Sequence, residues 1–220
     1  MKRFSLRYTL LTYRLDQLWL SAGFWALFVI ISFFRSGPDD VLDMARAYLG
    51  TVVPLVGGIL AAYAVLDDPA LELRFATPTR AERLLLERLG LIFIVQMVCA
   101  ITFQGVALAL GADFALLGNW ADVQLAWLVP TLSLLGLGCA ASLLGAQAVT
   151  GVFTAGLVWL IELLAKGWLA HNAGKYVLVF MAALMPEHPA LLANRICLLI
   201  LSTGLLIAAW ALLGRQERYI

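Results

Sequence analysis

Long apolar runs alternate with short polar connections along most of this 220-residue chain. A helix needs about 20 mostly apolar residues to cross a bilayer. Five runs reach that length, and a sixth is shorter and carries Glu162. The pattern therefore predicts an all-α integral membrane protein with six transmembrane helices. The predicted spans are residues 17–34, 47–66, 89–111, 124–146, 150–165 and 195–214.

Two further segments are predicted to be helical without crossing the membrane. Residues 2–16 place Arg3, Arg7 and Arg14 on one helical stripe beside an apolar stripe, a pattern typical of a helix lying in the headgroup plane. A topology signal that only anchors the chain explains the same pattern equally well. The apolar run that begins at Tyr176 has only ten residues, so we expect a re-entrant or interfacial segment over 176–186.

A dense group of charged residues, which we call the island, lies between predicted spans two and three at residues 67–88. Thr79 and Glu82 have the spacing of a capping box, in which a hydroxyl and a carboxylate satisfy free amides at a helix start. We therefore expect a short amphipathic coupling helix that begins there, runs at the membrane surface and feeds into span three. Its polar face holds Arg80, Arg83 and Glu87, and its apolar face holds Ala81, Leu85, Leu86 and Leu89. A solvated loop with ordinary charge patterning is the alternative.

Lys and Arg residues are unequally divided between the two sides of the predicted topology. The N-terminus, the island and the C-terminus hold ten of them, and the other connections hold five. Positive residues concentrate in cytoplasmic loops. Both termini and the island are therefore predicted to be cytoplasmic, which agrees with an even number of spans.

Composition supports a membrane protein and excludes several other classes. Hydrophobic residues make up 63% of the chain and charged residues 13%, whereas soluble domains carry roughly 25% charged residues. The net charge of +1 argues against a nucleic-acid partner. The chain contains neither a phosphate-binding loop nor a zinc-protease or serine-hydrolase motif. We therefore expect no enzymatic activity from this chain itself.

Glu162 is the one acid well inside an apolar run. A charge in the bilayer is costly, so such a residue usually faces a protein interior or a water-filled cavity. One interpretation is a group that lines a transport path or its outer gate. The other is an acid near the end of a short span, held at the interface or protonated.

The order of these elements resembles the small ABC-2-type permeases, the membrane-spanning subunits of ABC transporters. The similarity covers nearly the whole chain, and its strongest motif is residues 78–88, where a Thr-Pro element precedes a polar residue and an Arg that opens the next helix. The broken connection before span six looks like the family's re-entrant helices. Asp67-Asp68-Pro69 stands where family members often carry an acidic run followed by Gly-Thr.

The resemblance implies the permease subunit of an ATP-driven exporter, which forms a path with a second identical or sibling permease. It implies that an ABC ATPase dimer docks on the island and the N-terminal helix, and that this partner, not the chain, binds ATP and Mg. The expected location is the bacterial cytoplasmic (inner) membrane, in contact with membrane lipid. The expected ATPase-coupling residues are Arg74, Thr77, Pro78, Thr79, Arg80, Glu82, Arg83 and Glu87.

Two other classes of function stay open at this point. An ion-coupled secondary carrier needs intramembrane charged residues on several spans. A non-transporting scaffold or assembly factor would use the island to dock a different partner. A lipid, a peptide, a drug or a haem-like substrate is compatible with apolar spans that carry Gln96, Thr102 and Gln104.

Overall fold

The computed structural model describes residues 15–35, 37–64, 66 and 81–214, and within this part of the chain all regular structure is helical. The predicted all-α class is confirmed for these residues. A π-helical turn, Tyr48–Val52, joins the second and third α-helices, and 3-10 helices occupy Phe114–Leu117 and Ala173–Tyr176. The α-helices in chain order are α1 (Leu15–Phe33), α2 (Pro38–Ala47), α3 (Val53–Tyr63), α4 (Ala81–Ala109), α5 (Trp120–Gly145), α6 (Ala148–His171), α7 (Met181–Leu184) and α8 (Leu191–Leu213).

Five helical segments in the described part of the chain are long and apolar enough to cross a membrane. They are Pro38–Tyr63, Arg83–Ala109, Trp120–Gly145, Ala148–His171 and Leu191–Leu213. The first predicted span falls on α1, whose described apolar portion, Trp19–Phe33, is shorter. By the length and composition of these helices, the chain is a multi-pass membrane protein. The six-span topology stays a prediction.

All five of these segments are longer than the predicted spans, and the second and fifth spans differ most from their predicted lengths. The second helical segment begins at Pro38, well before the predicted start at 47, and it passes through the π-helical turn. The fifth was predicted to end at 165, where Lys166 interrupts the apolar run, but α6 continues to His171. Ala165 has φ −103° and ψ 15°, which are non-helical values, so the helix is kinked where it was expected to stop.

The helices run back and forth, so their ends gather into two groups. The end of α3, the start of α4 and the end of α8 lie at what we call the island end. The end of α4, the start of α5, the end of α6 and the start of α8 lie at the distal end. The distal connection, residues 172–190, contains the second 3-10 helix and α7. The predicted re-entrant segment falls within it.

Glycines allow three helices to meet closely at the centre of the bundle. A Cβ added to Gly138 of α5 would collide with the carbonyl oxygen of Gly58 in α3. One added to Gly151 of α6 would collide with the carbonyl oxygen of Gly138 and lie 2.6 Å from the Cβ of Ala62. Small residues permit such close backbone approach in lipid. In the sequence, Gly58 and Ala62 are four residues apart, as are Gly138 and Ser142, and this small-residue spacing indicates the same packed faces.

Candidate functional site

Much of the predicted docking surface lies outside the residues that the structure describes. This holds for Arg3, Arg7 and Arg14 of the predicted interfacial helix. It also holds for Arg74, Thr77, Pro78, Thr79 and Arg80 of the island. Glu82 belongs to α4, but only its backbone is described. The roles assigned to these residues stay predictions.

The last part of the island forms the first turns of a single long helix. α4 contains 29 residues and is about 43 Å long at 1.5 Å per residue. A hydrocarbon core is about 30 Å thick, so α4 is long enough to cross it and still project beyond it. The prediction of a helix that continues from the island into span three is confirmed from residue 81 onward.

The two faces of this first segment differ as the sequence predicted. Leu85 and Leu89 are 3% and 6% exposed and pack with apolar residues of α3, α5 and α8. Arg83 is on the exposed face, and its Nε lies 2.8 Å from Oε1 of Glu87, whose side chain is partly buried at 18% exposed. Leu86 is also outside the packed face, at 57% exposed, although its helical position grouped it with Leu85 and Leu89.

Arg88 has a different environment from the one that its place in the island predicted. It is 4% exposed, and its Nη1 donates a hydrogen bond of 2.5 Å to the carbonyl oxygen of Ala64. Ala64 caps the C-terminus of α3, where helix carbonyl groups lack intrahelical partners and favour a cation. Arg88 therefore fastens the start of α4 to the end of α3.

Polar side chains inside the bundle connect helices in pairs. Gln96 of α4 donates to Ser21 Oγ of α1 at 2.8 Å, and Gln124 of α5 donates to Gln104 Oε1 of α4, also at 2.8 Å. Ser133 of α5 and Ser202 of α8 are joined by a hydrogen bond of 2.9 Å. Gln96 and Gln104 were considered above as residues compatible with a substrate path. In the structure they link neighbouring helices.

Glu162 is 5% exposed and fixes the distal connection to α6. Its two carboxylate oxygens accept hydrogen bonds from the backbone N–H groups of Val179 and Phe180, at 2.9 and 3.0 Å. The neighbouring Asn194 of α8 donates to the carbonyl oxygens of Lys175 and Leu178. Side chains of both α6 and α8 thus hold this connection. A role for Glu162 in a transport path or outer gate stays a prediction.

Residues 178–181 of the distal connection are buried. Val179 and Phe180 share an apolar cluster with Leu134 of α5 and Leu198 of α8. The connection therefore packs into the bundle against α5 and α8. Its placement as a re-entrant segment relative to the membrane stays a prediction.

A cavity of about 450 Å³, which we call the distal cavity, lies where α2, the π-helical turn, α5, α7 and α8 meet. Four charged residues line it: Arg46, Asp122, Glu187 and Arg195. Arg195 Nη1 is 2.6 Å from Asp122 Oδ1, and its Nη2 donates to the Asp122 carbonyl oxygen. These residues are spread over 150 positions of sequence, which is why local patterns did not predict the cavity.

Comparison of the chain with known protein families, characterised proteins and solved structures finds no match. The function is therefore inferred from the chain's own residues. Within residues 15–35, 37–64, 66 and 81–214, no group of three His, Cys, Asp or Glu side chains is placed to hold a metal ion.

Proposed function

We propose that this chain is the permease subunit of an ATP-driven ABC transporter, coupled to separate ATPase subunits at the island. Two copies, or this chain and a sibling, would form the path for the substrate. The proposal places the protein in a bacterial cytoplasmic membrane with both termini inside. Export is the direction that the family resemblance implies.

The observation that carries the proposal is the continuity of α4. This 29-residue helix starts in the island and ends at the distal end, without a break. A force applied to its first turns would be transmitted along a helix, which is stiffer than a flexible linker. Energetic coupling between distant sites travels well through rigid secondary elements of this kind.

The contacts of the first turns of α4 also suit a coupling role. Leu85 and Leu89 attach its first turns to the core, and Arg88 attaches them to the end of α3. A displacement of this region would therefore move α3 and α4 together. Arg83, 51% exposed, is on the outside of the bundle, where it could contact a soluble partner, and the partly buried Glu87 pairs with it.

The environment of Glu162 favours a permease over an ion-coupled carrier. A carrier needs intramembrane ionisable groups that exchange ions or protons with a path. Both carboxylate oxygens of Glu162 instead bind backbone N–H groups of the distal connection. This acid is the one that the sequence offered for ion coupling, and its contacts support a structural role.

The proposal is tested by isolating the complex from its native membrane through an affinity tag on this chain. We expect an ATPase with a phosphate-binding loop to accompany the wild-type protein. Reversing Arg80 and Arg83 to Glu should release it, because like charges brought together across an interface cost several kcal/mol. The membrane-inserted amount should stay normal, because surface changes usually alter stability by less than about 0.5 kcal/mol.

Two control variants separate docking from folding. The exchange Arg83→Glu with Glu87→Arg keeps an ion pair at the i,i+4 spacing but moves the charges, so it should preserve the fold and weaken docking. Reversal of Arg35 and Lys175, which lie at the distal end, should leave the ATPase bound. Full retention of the ATPase by the Arg80 and Arg83 double variant would show that the docking assignment is wrong. Capture of a different soluble partner through the island would instead favour the scaffold alternative.

A further inference from the structure

The distal cavity combines charged groups with apolar walls. Besides its four charged residues it is lined by Leu49 of the π-helical turn, Leu116 and Leu117 of the first 3-10 helix, and Leu191 of α8. Its volume of about 450 Å³ falls within the roughly 300–1,000 Å³ of small-molecule pockets. A ligand that fits these walls must therefore have both a polar and an apolar part.

The charges leave one cationic and one acidic side chain for a ligand. Arg195 and Asp122 neutralise each other through their 2.6 Å contact. Arg46 has a weaker partner, because its Nη1 is 3.6 Å from the carboxylate of Asp43, which is 77% exposed to solvent. Glu187 is exposed and makes no ion pair or hydrogen bond with the part of the chain that the structure describes. The remaining pair, Arg46 and Glu187, matches a ligand that carries charges of both signs.

Arg195 provides a second reason to expect an anionic group in the cavity. Its side chain lines the cavity, and its Nε is buried without an acceptor in the described part of the chain. A buried donor without an acceptor carries a desolvation cost. A small movement of the Arg195 side chain toward a bound anion would give this donor an acceptor and reduce that cost.

The surroundings of the cavity indicate that the ligand comes from the membrane. Leu116, which lines the cavity, is exposed, and so are Trp120 at the start of α5 and Leu192 at the start of α8. Trp168, near the end of α6, is exposed at the same end of the bundle. Tryptophan is enriched where a protein meets the boundary between lipid and water. The cavity therefore lies beside the level at which lipid headgroups are found.

We propose that the distal cavity binds a zwitterionic amphiphile, with an anionic phosphate at Arg46 and Arg195 and a primary ammonium at Glu187. The apolar part of the ligand lies against Leu49, Leu116 and Leu117. Arg46 and Arg195 each offer several N–H donors in a planar arrangement that suits phosphate oxygens. This assignment holds whether or not the chain is a permease, because it depends only on the residues around the cavity.

The test measures lipid binding by the purified full chain in detergent, using native mass spectrometry with two short-chain probes. One is phosphatidylethanolamine, which carries a phosphate and a primary ammonium. The other is phosphatidylglycerol, which carries a phosphate and two hydroxyl groups but no cation. We expect the first to bind about tenfold more tightly, the effect of one additional hydrogen bond to a charged group. Equal binding of the two lipids, or tighter binding of phosphatidylglycerol, would overturn the zwitterionic assignment.

Two variants assign the headgroup contacts. Arg46→Gln should weaken binding of both lipids by about tenfold. Glu187→Gln should weaken binding of phosphatidylethanolamine only, to the level of phosphatidylglycerol. The matched controls Arg35→Gln and Asp39→Asn change exposed charges at the same end, outside the cavity lining, and should bind as the wild type does. Wild-type affinity in both cavity variants would show that the lipids bind elsewhere.

Soluble phosphoethanolamine distinguishes an amphiphile from a free headgroup. We expect it to compete with the short-chain lipid only at concentrations far above those of the lipid, because it lacks the apolar part that contacts the leucines. Competition at equal concentration would show that the apolar walls contribute nothing and that the ligand is a small soluble zwitterion. That result would overturn the assignment to a membrane amphiphile.

Discussion

Replacing Glu162 with Ala should loosen the distal connection while leaving the helical bundle intact. The change removes both acceptors that bind the N–H groups of Val179 and Phe180, which are buried residues. A buried donor left without a partner costs about 1–3 kcal/mol, so two of them cost about 2–6 kcal/mol in the local opening of this connection.

The size of this effect should be visible in amide hydrogen exchange. Each 1.4 kcal/mol is about a factor of ten in an equilibrium constant, so the protection of these two amides should fall by at least about 30-fold. Hydrogen exchange followed by mass spectrometry on peptides that cover residues 177–184 measures it directly. The bundle itself should keep its protection, because Asn194 still holds the connection to α8 through two carbonyl groups.

Two further variants make the interpretation specific. Glu162→Gln keeps one acceptor oxygen but presents an amide donor to the other N–H group, so its loss of protection should be smaller than that of Glu162→Ala. Glu187→Gln changes an exposed acid of the same connection and should leave these amides unchanged. Unchanged protection in Glu162→Ala would refute the conclusion that this side chain holds the connection in place.

Three other changes test the packing, each by thermal unfolding of the purified chain in detergent. Gly138→Ala should lower the unfolding temperature, because its Cβ would meet the carbonyl oxygen of Gly58 and overpacking costs about 1–3 kcal/mol; Gly204→Ala, where an added Cβ meets nothing within 4 Å, should not. Leu89→Ala should lower the free energy of unfolding by about 2–5 kcal/mol, whereas Leu86→Ala, on the exposed face, should lower it far less. Equal losses of stability would contradict the assigned faces. Arg88→Leu should destabilise the chain by about 1–3 kcal/mol, because it leaves the Ala64 carbonyl without this donor, and an unchanged unfolding temperature would contradict that role.

Much of the fold could be predicted from the sequence because lipid imposes strong local rules. Runs of about 20 apolar residues mark spans wherever they occur, and small residues at helix-packing spacing mark close contacts. Leu85 and Leu89 were correctly assigned to a packed face. Leu86 was not, because an apolar residue on a membrane helix is equally suited to lipid and to a neighbouring helix.

The candidate sites depend on contacts between residues that are far apart in the chain. The sequence placed Arg88 among the cytoplasmic charges of the island. Its hydrogen-bond acceptor, the carbonyl oxygen of Ala64, lies 24 positions earlier, and nothing near Arg88 in the sequence indicates it. The pairing of Arg195 with Asp122 spans 73 positions, and that of Glu162 with Val179 spans 17. The sequence identified Glu162 as an unusual acid, but only the packing of the helices determines its partners and those of Arg88 and Arg195.

The most direct test of the central claim is ATP hydrolysis by the chain alone and by the complex isolated through it. The chain lacks a phosphate-binding loop, and α4 connects the island to the distal end. We predict no hydrolysis by the isolated chain and vanadate-sensitive hydrolysis by the complex, which is lost when Arg80 and Arg83 are reversed to Glu. Hydrolysis by the isolated chain, or a complex without any ATPase, would contradict the assignment as a permease subunit.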